Sequence, residues 1–164
     1  MKIFLVAITC LFSLSCVNCT KSRKADVTVV ELDAMTINAR FKMLDPKFTS
    51  VFDYTFHNPT NDVWKEINDA WESRPNKREY VAQFNDCDDY AQRYIRFTKD
   101  YAFDKYGINL PVFFFGFFWE EKGKHYGHAI VIRYRGDVFD FYDPTVDRYA
   151  SVNLGKIFNI TIQQ

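Results

Sequence analysis

The chain has 164 residues, 48% hydrophobic and 18% aromatic, enough for one compact domain with a real core and too few for two. Its 21 basic and 21 acidic side chains cancel. No basic stripe or aromatic–basic interleaving runs through it, which sets aside a nucleic-acid partner.

The front, MKIFLVAITCLFSLSC, is one lysine followed by an uncharged run with small residues at its end. The run is short for a bilayer span and has the layout of a secretory signal; a buried N-terminal strand or helix is the plainer alternative. Residues 1–19 are expected to direct export, 20–24 (TKSRK) to form a polar tether, and 25–164 to form a single domain. Phe12-Ser13-Leu14-Ser15-Cys16 resembles a loose bacterial lipoprotein box. That box would put a lipid on Cys16 and anchor the protein to a membrane; ordinary cleavage near Cys19, releasing it to the periplasm, competes. Cys10, Cys16 and Cys19 lie in or beside this segment, which leaves Cys87 as the one cysteine of the body. Such an odd thiol is either a small buried hydrophobe or a reactive group.

Residues 25–35 read as a strand or a helix start. Asn58-Pro59-Thr60-Asn61-Asp62 is a turn with helix-capping residues, after which Trp64, Ile67 and Trp71 recur at helical spacing until Pro75. That stripe is core packing. A second helix is expected over 86–105, with Asp86 or Asn85 as its cap and Gly107 as its stop. Cys87 falls in its first turn, where unpaired amide N–H groups and the helix dipole favour an anion. Adjacent helical residues do not share a face, so Asp86 and Asp88 can look outward while the sulfur looks inward.

Downstream the period changes to two. Residues 111–119 (PVFFFGFFW) read as a strand covered on both faces, 120–124 as a turn, and 125–134 (HYGHAIVIRY) as a second strand. Arg135-Gly136 is the expected tight turn into a third strand over 137–143, stopped by Pro144, and 156–162 a fourth. Helices followed by an antiparallel sheet make the class α+β. With Arg135 and Gly136 central to the turn, Tyr134 pairs with Asp137, Ile132 with Phe139, Ile130 with Phe141 and His128 with Asp143. That register keeps one apolar face and ends it on a His–Asp pair. For an isolated pair, a core histidine satisfied by an acid is the plain reading. A lone thiol at a helix start adds the third role of a nucleophilic triad: thiol Cys87, base His128, orienting acid Asp143. His125 faces the other way, and His57 lacks an acid partner in the pattern.

Asn85-Asp86-Cys87-Asp88-Asp89-Tyr90-Ala91, Gly127-His128-Ala129-Ile130-Val131 and Tyr142-Asp143-Pro144 resemble the Cys, His and Asp blocks of the transglutaminase-like cysteine proteinase superfamily, the first block most like its bacterial branch. The resemblance spans roughly residues 60–145. It implies a papain/transglutaminase-like fold, N-terminal helices with the nucleophile helix packed on an antiparallel sheet. It also implies Cys87 as nucleophile, His128 as general base and Asp143 as its orienter. Members can bind calcium through acids flanking the cysteine, here Asp86 and Asp88; a helix cap with solvated acids is the alternative. Asn85 where the family has Gly, Asp88 where it has Glu, and Tyr142-Asp143-Pro144 in place of Leu-Asp-Asn are departures.

The expected function is an exported cysteine hydrolase, monomeric and requiring no cofactor, that cleaves or transfers an amide bond of a peptide or protein substrate. The Cys87 backbone N–H, with Gln83 or Asn85 by proximity, would form the oxyanion hole. The competing expectation is a non-catalytic envelope protein using the same fold as a binding or blocking module.

Overall fold

The computed structural model describes residues 27–51, 53–75, 86–135 and 138–164. The expected signal and tether, Cys10, Cys16 and Cys19, and the expected oxyanion residues Gln83 and Asn85 lie outside them.

The stretch read as strand or helix is both in turn: strand β1 (Val29–Asp33) runs straight into helix α1 (Ala34–Lys42). Asp33 makes the switch. Its carboxylate accepts from the Thr36 N–H at 2.7 Å, capping the helix. A short strand β2 (Phe48–Ser50) and β3 (Thr55–Pro59) follow, then α2 (Asn61–Glu72) and α3 (Cys87–Tyr106). Gly107 ends α3 with φ 76°, a left-handed value that glycine adopts without a Cβ penalty. The remaining strands are β4 (Val112–Glu121), β5 (Lys124–Arg135), β6 (Val138–Asp143), β7 (Arg148–Tyr149) and β8 (Ile157–Gln163).

β1 and β3 form a two-stranded sheet, and the other strands a six-stranded sheet in the order β2-β8-β4-β5-β6-β7. The β2–β8 pairing is parallel. The expected layout, helices first and then a purely antiparallel sheet, is therefore corrected to a sheet-dominated, mixed arrangement with three α-helices, in which strands precede the nucleophile helix.

The sheet separates two cores. On one side Ala129, Val131, Val112 and Tyr142 pack under α2 and α3, whose Trp64, Ile67, Trp71, Ala91 and Tyr94 are buried. On the other, Phe113, Phe115, Ile130, Ile132 and Ile162 close over Ile37 and Phe41 of α1. Glu66 ties α2 to α3, accepting from Tyr101, Tyr106 and Lys105, each at 2.7 Å.

The β5–β6 register departs from expectation by two residues. Ile132 pairs with Phe141, Tyr134 with Phe139 and Arg135 with Val138. Arg135 is thus a strand residue, and Gly136 lies outside the described residues. A shift of two leaves every side chain on its expected face, because the strand period is two.

Candidate thiol–imidazole site

Three elements meet at the end of this sheet. α3 begins at Cys87, β5 supplies His128 and β6 ends at Asp143. His128 Nε2 lies 2.9 Å from Asp143 Oδ2. The β5–β6 ladder stops at Val131–Tyr142, so Asp143 reaches His128 along the diagonal rather than straight across. The acid is itself held: its Oδ1 accepts from the Thr145 backbone N–H at 3.0 Å and from the Thr145 hydroxyl.

The imidazole also hydrogen-bonds the Cys87 side chain. Cys87 packs against the helix-side core. His128 stands edge-on to Phe117, centroids 5.8 Å apart, on the opposite face. The row thus bridges the two cores around the end of the sheet, with Cys87 partly exposed and the His128 side chain 29% exposed.

The electrostatics follow from this geometry. The hydrogen bond to Asp143, then that to Cys87, push His128 up to about 9, against a smaller opposing effect of burial. Burial alone would raise the Asp143 carboxyl, but hydrogen bonds from His128 and Thr145 more than offset it and hold the acid below its ordinary value. At neutral pH the ring is therefore an imidazolium between a carboxylate and a sulfur.

The other expected residues fall elsewhere. Asp86 is the N-cap residue of α3, and its carboxyl hydrogen-bonds that of Asp88, which raises Asp88. Among the described residues no group of three or more His, Cys, Asp or Glu side chains is placed to hold a metal ion. Calcium takes about six to eight oxygens, roughly three to four times what two carboxyls offer singly. Asp86 and Asp88, the expected calcium ligands, form a carboxyl pair at the start of α3. His125 is exposed, 3.5 Å from Glu120. His57 Nδ1 accepts from the Asn109 backbone N–H.

The aromatic surroundings differ from the buried strand expected for this run. The run 113–119, expected to be covered on both faces, stays buried only at its start. Phe118 is 45% exposed, and its ring lies across Gly127, where an added Cβ would come within 2.7 Å of it. Trp119 stacks on the exposed Tyr126 at 5.4 Å. The fade from buried to exposed toward the hairpin end leaves no mark in a uniform FFFGFFW.

No protein-family model matches the chain, and no curated protein matches it. Solved structures do. One is a Polyporus squamosus lectin bound to the human-type influenza-binding epitope Neu5Aca2-6Galb1-4GlcNAc: TM-score 0.57, 16% identity, covering 80% of this chain and 49% of that one. Another is a complex of PSL1a with E64: TM-score 0.55, 20% identity, covering 80% and 51%. The chain thus spans about half the length of the structures it matches. Neither is named as a transglutaminase-like or papain-like enzyme. The expected superfamily membership, and with it the cysteine hydrolase or peptidase, give way to a different finding: over four-fifths of its length this chain shares its fold with part of a lectin.

Proposed function

We propose that the chain is a binding module for a non-nucleic-acid ligand, a glycan in the finer form of the proposal, and that the ligand seats against the row of Cys87, His128 and Asp143. One observation carries the location: three side chains from α3, β5 and β6 form a single hydrogen-bonded row whose thiol and imidazole are partly exposed. A core histidine satisfied by an acid needs no thiol beside it and no opening to solvent. The fold likeness to lectins supports binding as the activity. Residues 1–19 are proposed to direct export, which fractionation of expressing cells tests.

The glycan epitope bound by the matched lectin is the natural probe. Isothermal titration calorimetry with Neu5Aca2-6Galb1-4GlcNAc is expected to show one site in the wild-type chain and at least tenfold weaker binding in His128→Ala. No binding by the wild type would overturn the glycan reading, and equal binding by His128→Ala would move the site elsewhere.

A further inference from the structure

α3 lies over β4 and β5, and β8 is the next strand beyond β4. Between α3 and β8 opens a cleft of about 580 Å³, within the roughly 300–1,000 Å³ of small-molecule sites. Gln92, Ile95, Arg96 and Lys99 of α3 form one wall, at the three- and four-residue spacing that shares a helix face. Phe114, partly buried, is the floor. Gln163 stands on the far side, paired with Phe114 across the β4–β8 ladder. Ile162 belongs to the opposite core, so strand alternation turns Gln163 toward α3. Arg96 lies about 14 Å along α3 from Cys87, and the cleft shares no residue with the thiol–imidazole row.

The cations Arg96 and Lys99 and the acids Asp53 and Asp100 line this cleft, and they are not equivalent. Asp53 Oδ2 already accepts from Asn109 Nδ2 at 2.9 Å, from the Gln164 side-chain amide and, at 3.5 Å, from Lys99. Burial lowers Lys99 below the ordinary lysine value, against the opposing pull of Asp53. Among the described residues no acid pairs with Arg96, and nothing hydrogen-bonds the side chains of Gln92 or Gln163. All three are exposed. We infer that this cleft is a second binding site, for a small monocarboxylic acid with an amide and an apolar body, by chemical class an N-acyl amino acid. A guanidinium fork meets a carboxylate through two parallel hydrogen bonds. Side-chain amides carry both donors and an acceptor, which matches the N–H and C=O of a peptide-like group. Ile95 and Phe114 give the body an apolar surface. Because Asp53 and Asp100 balance Lys99 and Arg96, the cleft has no surplus positive charge to hold a dianion such as a phosphate monoester. The site goes beyond the glycan reading and does not depend on it.

The test is NMR titration of the full chain with N-acetylphenylalanine, its neutral analogue N-acetylphenylalaninamide, and phenyl phosphate. N-Acetylphenylalanine is expected to give saturable shifts of the Gln92 and Gln163 side-chain amides and of the Arg96 Nε–H. The neutral analogue and phenyl phosphate should each bind roughly tenfold more weakly. Arg96→Ala, at an exposed position that leaves the core untouched, should lose the preference for the acid over its neutral analogue. Equal binding of acid and neutral analogue by the wild type, or a preference unchanged in Arg96→Ala, would overturn the carboxylate contact. Tighter binding of phenyl phosphate would overturn the monoanion. Shifts confined to Cys87 and His128 would place the acid on the row and overturn the second site, as would no shift at all; neither result bears on glycan binding, which is titrated separately.

Discussion

His128 decides the character of the site. An imidazole with one acid partner and one sulfur partner holds its proton well above the ordinary histidine range, to about 9. NMR titration of the His128 ring is therefore expected to give a midpoint near 9, falling toward 6.5 in Asp143→Asn. A midpoint near 6.5 in the wild type would mean that the Asp143 contact does not form in solution. The sign of the stability effect follows. Because the folded value lies above the unfolded one, the contribution is complete below about 6.5 and is lost as pH rises through about 9. The identities of these residues were legible in the sequence, since a lone body cysteine, a His–Asp pair and their spacing are local facts. The exposure of Phe118 was not, because it depends on where α3 stops covering the strand.

Among the elements, α3 and β5 set the geometry, and a buried charge locks them. Arg133 of β5 is fully buried; it bonds Asp140 at 2.7 Å, the Tyr94 hydroxyl at 3.0 Å and Asn68 at 3.1 Å, joining α2, α3, β5 and β6. Arg133→Ala leaves the Asp140 charge buried at 8% exposure without its main partner. Chemical denaturation is expected to show a loss of about 3–5 kcal/mol, and a loss under about 1 kcal/mol would mean that water replaces the guanidinium. Element limits were readable where punctuation is strong, as at Gly107 and at Lys122–Gly123, the turn between β4 and β5, whose positive φ values of 52° and 73° suit a two-residue hairpin. The β5–β6 register was not, since neighbouring registers two residues apart bury the same faces and sequence alone cannot choose between them.

At the scale of the whole molecule, the order of layers was the part least open to sequence reasoning. A parallel strand such as β2 pairs with β8 more than a hundred residues later, and nothing in FTS announces it. Short motifs around a thiol, a histidine and an acid pointed to one superfamily, whereas the chain trace matches part of a lectin over 80% of its length. Local chemistry and global fold are separate questions, and a functional site has to be argued from its own geometry. That geometry stands or falls on whether Cys87 and His128 act together. The direct measurement is the rate of iodoacetamide alkylation at Cys87, read by peptide mapping of the folded chain at pH 7. Cys87 is expected to be labelled in the folded chain, and at a clearly different rate once His128 is replaced by alanine, because the imidazole hydrogen-bonds the sulfur. A Cys87 that stays unlabelled in the folded chain, or that labels equally with and without His128, would contradict it.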